Sequence, residues 1–394
     1  MNKLKGKTAI VGIGEVPTGK YPERQAIDNA IIPARQAILD AGIDKDEIDY
    51  VMPTGSLWNS AFNTEITTAR IVEELGLKGV HSNVNVFAGG ASSSNMLKIA
   101  ASLVNSGKAK YVLCVHADKL ASGITSQAGI DLFSTAGMSL EWEAIYGQHY
   151  SSVAGLVTQR FMYETGTTKE QIAAVCVSNR KWAELNPHAM HRKPLTVEDV
   201  LSSKMLSDPL HAKMSNMLAD GGAAFIVTSA ERAKKLNNKP VYLLGDSGRV
   251  TSFALGQQPD ITRFGYAEAA RDAFAEAGLA PSDIDIAEIY DSYPIFQLIA
   301  LEGLGFCKRG EAGAFVAEGN TMPGGRLPMT TNGGMLSQGH TGAGGGVAVL
   351  VEAARQLMGK AGERQVAGAK FAVETATGGC YMDAQVSILG TEIA

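Results

Sequence analysis

Residues 330–346 read TTNGGMLSQGHTGAGGG, a polar turn dense in glycine that delivers His340 to the start of a helix beginning near Gly345. Glycines let backbone approach a ligand closely, and a helix N-terminus offers N–H groups to an oxyanion or a phosphate. An imidazole placed there can donate a proton, hold an oxyanion or act as a base. The competing reading is a linker with a surface histidine, and the density of glycines favours function. A matching turn lies in FAGGASSSNML, residues 87–97, which again runs strand, glycine turn, helix start. Ser92, Ser93 and Ser94 suit capping of that helix better than nucleophilic attack. In EIYDSYPIF, residues 288–296, a strand ends where ligands bind in α/β sheets. Tyr290 and Asp291 are candidate hydrogen-bonding or acid/base groups, or simply a strand end with a core aromatic. ETATGGCYMDA, residues 374–384, sets Cys380 after a glycine pair between two strands. Such a thiol is either exposed and activated or a small buried hydrophobe.

Other features carry less. Gly12 and Gly14 form an isolated GxG without the rest of a dinucleotide fingerprint. His188 and His191 are three apart in NPHAMHRK but lack a third ligand, which favours a polar loop over a metal site. Cys114, Cys176, Cys307 and Cys380 form no CxxC pair, which disfavours zinc and a disulfide scaffold and fits a reducing, cytoplasmic setting. A net charge of −5 gives no footprint for nucleic acid. No segment approaches the roughly 20 apolar residues of a membrane span. The opening MNKLKGKTAIVGIGEV is basic and then briefly apolar, but no small-residue cleavage site follows, so no signal peptide is expected.

The elements that must position these turns repeat. ARQAILDAGIDKDEIDY (34–50) and ARDAFAEAGLAPSDIDI (270–286) share seven of seventeen positions at a constant offset of 236. Each copy is an amphipathic helix, a glycine stop (Gly42, Gly278), an acidic turn and an apolar strand. Strand and helix alternate in both halves, which predicts an α/β fold with a mostly parallel sheet covered on both faces. Strands are expected around 8–14, 48–53, 81–88, 110–117, 240–250, 285–290, 369–376 and 384–390. Helices are expected around 24–41, 64–75, 91–106, 140–165, 169–184, 266–277, 294–304 and 345–358. Residues 118–216, rich in Met, Ser, Tyr and His, read as an insertion on one face of the double core. The expected division is therefore 1–117 plus 217–240 for the first half, 118–216 for the insertion and 241–394 for the second half. Paired halves place a site where they meet.

With these landmarks the chain resembles the thiolase superfamily, and more closely its sterol-carrier-protein-type, thiolase-like branch. The resemblance covers essentially the whole chain. It rests on the duplicated halves, SDPLHAKMSNMLADGGAA (207–224), EIYDSYPIFQLIALEGLGFCKRGEAGAFV (288–316), NGGMLSQGHTGAGGG (332–346) and TGGCYMDAQVSILG (377–390). It implies two duplicated α/β halves in a five-layered α/β/α/β/α core, an inserted loop domain, and homodimers joined through first-half strands. It implies acyl-CoA and CoA as substrates, no bound cofactor or metal, and Claisen-type carbon–carbon bond chemistry.

The departures from the pattern are as informative. The family's nucleophilic Cys aligns with Gly90, and the Asn or His of its second-half strand motif with Tyr290. His340 is retained, but Thr341 stands where Pro usually follows. Cys380 comes after its glycine pair rather than before. Catalytic roles are thus expected for His340, Cys380 and Tyr290, with oxyanion or substrate contacts at Gly90, Asn332 and Gly379. The first expected activity is an acyltransferase of thiolase type, converting a β-ketoacyl-CoA plus CoA to two acyl-CoAs. An aromatic or branched substrate from a degradation pathway is expected, benzoylsuccinyl-CoA being one example. The second is a retro-aldolase acting on a β-hydroxyacyl-CoA, and the third a non-catalytic acyl-CoA-binding subunit. Relatives without the nucleophile often work with a small OB-fold/zinc-ribbon subunit, so such a partner is also expected.

Overall fold

The computed structural model describes residues 4–55, 67–81, 84–125, 127–129, 138–379 and 383–393. The apolar run after Lys7 forms β1, Thr8–Gly19, whose first nine residues are buried; covered on both faces, it has no alternation to show. The first half continues with α1 (Ala26–Ala41), β2 (Tyr50–Gly55), α2 (Thr67–Leu75), α3 (Ser92–Asn105) and β3 (Tyr111–Lys119). An insertion follows that carries α4 (Tyr150–Thr165) and α5 (Lys169–Glu184), and then β4 (Asp220–Ser229). The second half is β5 (Val241–Val250), α6 (Tyr266–Ala277), β6 (Ile286–Glu288), α7 (Pro294–Gly303), α8 (Gly345–Leu357), β7 (Phe371–Ala376) and β8 (Asp383–Gly390).

The strands lie in the order β2-β3-β4-β1-β5-β8-β7-β6, which is the same four-strand pattern read outward from its centre. In each half the outer pair is parallel (β2/β3, β6/β7) and the next pairings are antiparallel. The halves join at β1 and β5 through only two residue pairs, Ala9 with Tyr242 and Ile10 with Val241. The sheet is mixed rather than mostly parallel as expected: five of its seven pairings are antiparallel, because β4 and β8 run against both of their neighbours and β1 runs against β5.

The repeat seen in the sequence is a repeat of contacts. Gly42 and Gly278 end α1 and α6 at φ +67° and +68°, a left-handed conformation that costs glycine nothing. Asp49 accepts from the backbone N–H groups of Lys110 and Tyr111, and Asp285 does the same for Lys370 and Phe371. Gly12 and Gly245 let β1 and β5 approach α1 and α6: a Cβ there would stand 2.3 Å from the carbonyl of Ala37 and 2.2 Å from that of Ala273. Outside lie α1 against β1, β3 and β4, and α6 against β5 and β8. Between the half-sheets α3 and α8 pack on each other, burying Met96, Leu97 and Ala100 with Val347, Leu350 and Val351. This is the layered α/β architecture expected.

Three further expectations change. Residues 84–87 form no ladder beside β2: Val86 donates to the carbonyl of Pro53, but Pro53 has no N–H to return. The helix expected over 140–165 begins only at Tyr150, because a 3-10 turn at Ala144–Tyr146 stops at Gly147 with φ +79°. The strand β4, which pairs β1 with β3, lies in DGGAAFIVTS, where the glycine pair hid the extended pattern.

Candidate active site

The two glycine turns meet. Thr330, at the base of the second-half turn, is held at φ +50°, strained for a β-branched residue. Its buried hydroxyl donates to the carbonyl of Ile289 at 3.0 Å and accepts from Gln297 Nε2 at 2.7 Å, which holds the turn against the end of β6. Beyond it, His340 is 5 % exposed. Its N–H donates to Met217 at 2.6 Å and its carbonyl accepts from Ala219 N at 2.9 Å, so the segment leaving the insertion clamps the turn. Burial pulls the His340 imidazole down to about 4, so the ring is neutral near pH 7. Gly342 N donates to Nδ1 at 3.3 Å, which leaves the proton on Nε2.

Nε2 of His340 lies 3.3 Å from Oη of Tyr290. Tyr290 is buried, its ring edge-on to Phe296 and to His340. Burial first, then the charges of Asp291 and Asp383, push its hydroxyl above the ordinary phenol range. It is therefore a phenol, and a donor, at neutral pH. On its other side is Gly90. A Cβ at Gly90 would lie 2.5 Å from Tyr290 Cε2, 2.6 Å from Tyr290 Oη and 2.4 Å from the carbonyl of Thr377. The turn's own carbonyl meets the start of α8, since a Cβ at Gly346 would stand 2.1 Å from Gly90 O. Gly89, at φ +56°, packs on the backbone of Gly378 and Gly379. The structure thus brings Gly90, Tyr290, His340 and Gly379 into one neighbourhood.

Other expected residues have other occupations. Asn332 closes its own turn: Oδ1 accepts from Gly334 N at 2.8 Å, and its backbone carbonyl accepts from Asn186 Nδ2 at 2.8 Å. Asp291 accepts from Met335 N, Leu336 N and Asn179 Nδ2, so it anchors the short helix Gly334–Ser337. Burial pushes its carboxyl up to about 7 against those bonds. The serines do not cap α3, whose N-cap is Ala91. Ser92 Oγ donates to Gly89 O at 2.6 Å and accepts from Ala88 N, closing the turn, while Ser93 and Ser94 donate to the buried Glu374 on β7. Cys380 lies outside the described residues. Cys114 is fully buried, and burial raises its thiol pKa. Cys176 is pushed up to about 12 and Cys307 to about 11, burial being the first cause for each. Among the described residues no group of three His, Cys, Asp or Glu side chains is disposed to hold a metal. No described helix is long and apolar enough to cross a membrane.

Sequence reasoning missed Glu374 and His116, both inside apolar strands. The signal was there: a charged and an ionisable residue in AKFAVETA and KYVLCVHA must have buried partners.

Residues 247–391 match the family described as Thiolase C-terminal domain-like. The whole chain is 33% identical over 382 residues to an acetyl-CoA acetyltransferase of Methanothermobacter thermautotrophicus, covering 96% of this chain and 98% of that one. The chain belongs to the thiolase superfamily. Within that superfamily it falls in the sterol-carrier-protein-2-like branch. It is also 32% identical to a steroid side-chain-cleaving aldolase of Thermomonospora curvata, over 90% of this chain and 92% of the relative. The benzoylsuccinyl-CoA thiolase subunit BbsB of Thauera aromatica is 29% identical over 90% of each. Among solved structures, the "Ltp2-ChsH2(DUF35) aldolase" superposes with a TM-score of 0.85 at 30% identity, over 98% of both chains. For this thiolase-superfamily protein the reaction class follows: thiolase-like cleavage or formation of a carbon–carbon bond in an acyl-CoA. Acetyltransferases and aldolases both stand among its relatives.

Proposed function

We propose that this protein cleaves, or in reverse forms, the Cα–Cβ bond of a β-hydroxyacyl-CoA by a retro-aldol reaction without an acyl-enzyme. One observation carries the reading. Tyr290 fills the space that a side chain at position 90 would need, and its hydroxyl lies against His340. A side chain at 90 could enter only if Tyr290 and the Thr377 carbonyl gave way, which argues against a thiolytic cysteine there. What remains is a pair of neutral donors, Nε2–H of His340 and Oη–H of Tyr290. Aimed at the thioester oxygen, they stabilise the enolate that forms when the bond breaks, in a site too dry to solvate it otherwise. In the balanced step the β-hydroxyl loses its proton and becomes a carbonyl, the Cα–Cβ electrons move into the enolate, and a proton returns to Cα. Cys380 is the proposed carrier of that proton, with Gly90 and Gly379 supplying backbone at the substrate.

The second reading, thiolase-type acyl transfer, is favoured by the acetyl-CoA acetyltransferase relative and by the retained His340. There CoA's thiol would attack a β-ketoacyl-CoA directly. Benzoylsuccinyl-CoA is a test substrate on the strength of the 29% identical subunit. The similar solved structure is a complex with a DUF35 protein, which supports a small DUF35-type partner here. The deciding experiment incubates the chain, alone and with such a partner, with β-hydroxyacyl-CoAs, and separately with β-ketoacyl-CoAs plus CoA. A carbonyl product with one acyl-CoA supports the proposal. Two acyl-CoAs from the keto substrate overturn it in favour of acyl transfer, and tight binding without turnover leaves a scaffold.

A further inference from the structure

Glu288 ends β6, just before Ile289 and Tyr290, and is fully buried. Its two oxygens lie 3.1 and 3.2 Å from Thr331 N, and Oε1 lies 2.6 Å from Thr331 Oγ1. Glu352 on α8 places its own Oε1 3.0 Å from the same hydroxyl. Gln356 Nε2 is a third neighbour of that hydroxyl, at 2.9 Å. The Gln356 amide cannot be turned round, since its Oε1 accepts from Val366 N and its Nε2 also donates to the carbonyl of Arg364. Thr331 Oγ1 therefore accepts from Gln356 and has one proton and one lone pair left to use.

Two carboxyl oxygens compete for that single proton. Were both carboxyls ionised, one of the two contacts would set an anionic oxygen against a lone pair with no hydrogen between them. One extra proton closes the set. Glu352 already accepts from Arg364, at 2.7 and 2.9 Å, and from Arg355, at 3.2 Å, so it stays ionised and takes the hydroxyl proton. Glu288 has Thr331 as its partner and, among the described residues, no ion pair, so the extra proton sits on its Oε1. Oε1–H then donates to Thr331 Oγ1, while Oε2 accepts from Thr331 N. Beyond Glu352, Arg355 and Arg364, the charged groups around it are Glu15, which accepts from Arg355 at 2.9 Å, and Glu374, its register partner on β7. Burial first, then the charge of Glu352, push the Glu288 carboxyl above the ordinary carboxylate range.

We infer that Glu288 is a positioning residue held as a neutral carboxylic acid: through Thr331 it ties the end of β6, which delivers Tyr290, to the turn that delivers His340. Thr331 follows the strained Thr330, so this link fixes the two donors relative to each other at the base of the turn. Ionisation at alkaline pH leaves two bare acceptors around one proton, and the link opens. The inference rests on the reading of Tyr290 and His340 as a donor pair. Its first readout is independent of turnover.

The full chain is labelled with glutamate carrying 13C at Cδ, and its carboxyl signals are followed from neutral to alkaline pH without substrate. The Glu288 signal is assigned by its loss in Glu288→Gln. It shows a protonated carboxyl at neutral pH and titrates only on the alkaline side. Glu288→Leu, which removes donor and acceptor together, lowers kcat for acyl-CoA turnover about tenfold, the scale of stranding a buried hydrogen-bonding group, with KM little changed. Glu288→Gln, whose amide offers both an N–H and a carbonyl, recovers most of that loss and lessens the fall in rate at alkaline pH. A Glu288 signal already ionised at neutral pH overturns the inference. So does a glutamine variant no better than leucine, or one that keeps the whole alkaline fall. Should neither variant fold, Thr331→Val removes the hydroxyl alone; a glutamate signal protonated at neutral pH must then shift, and the lack of any such response overturns the inference too. If wild-type protein turns over no acyl-CoA, the functional proposal fails while the 13C titration still decides this one.

Discussion

The first-half turn at Gly90 and the second-half turn at His340 occupy equivalent places before α3 and α8, yet they do opposite work. The second turn is overdetermined. Thr330 is strained, Asn332 closes the bend, Asp291 anchors the short helix, and Met217 and Ala219 clamp His340 on both sides. The first turn contributes almost no side-chain chemistry. Its serines bind its own backbone or Glu374, and Gly90 provides room. The repeat supplies two helix starts whose glycine turns meet. In the proposal above the first became the floor on which Tyr290 rests, and the second kept the donor.

The largest effect is expected at Cys380, the thiol proposed to carry the proton. Cys380→Ala should abolish proton exchange at the acyl α-carbon, measured by deuterium uptake from solvent, while Cys114→Ala, Cys176→Ala and Cys307→Ala keep it. Those three thiols are raised by burial and hold little thiolate at neutral pH. Full exchange in the Cys380 variant would move proton transfer to Tyr290.

Next comes the donor itself. His340→Ala should lower turnover by roughly two orders of magnitude or more, as loss of an oxyanion donor does. Because the imidazole sits near 4, the wild-type rate should show no histidine limb between about pH 5.5 and 8. A limb near 6.5 that vanishes in the variant would show that the buried ring titrates, and so would break the contrast between a fixed and a passive turn.

The passive turn is probed by filling it. Gly90→Cys should lose at least about tenfold in activity, because its Cβ would lie 2.5 Å from Tyr290, and overpacking of this kind typically costs about 1–3 kcal/mol. Intact-protein mass spectrometry after incubation with acyl-CoA should find no acyl group at residue 90. A stable thioester on the introduced thiol would show that the site still accommodates the thiolase nucleophile.

The last effect is on stability and leaves turnover least changed; it concerns the carboxyl under the first turn. Burial, opposed by hydrogen bonds from Ser387, Ser94 and Ser93, pushes Glu374 up to about 7 from 4.5. The folded state therefore binds more protons than the unfolded state between those values, and Glu374's contribution to stability falls as pH rises through 7. Glu374→Gln removes this dependence. Its stability relative to wild type should improve between pH 4.5 and 8 by up to about 3 kcal/mol. Denaturant midpoints that shift in parallel across that range would mean that the carboxyl is already ionised.

Local signals carried much of this protein. The duplication, the glycine stops of α1 and α6, the capping box of α5 from Thr168 to Gln171 and both glycine turns follow from residue types at fixed spacings. These are interactions among near neighbours in sequence, so the sequence displays them. So does the likeness to thiolases, since its landmarks are contiguous motifs. What joins residues hundreds of positions apart was decided only in three dimensions. That Tyr290 stands where a side chain at 90 would go, that Ser94 bonds Glu374, and that His116 lies under Gly344 depend on how two half-sheets close over α3 and α8. No periodicity encodes such contacts, because each arises from packing volume and from the need of every buried polar group to find a partner.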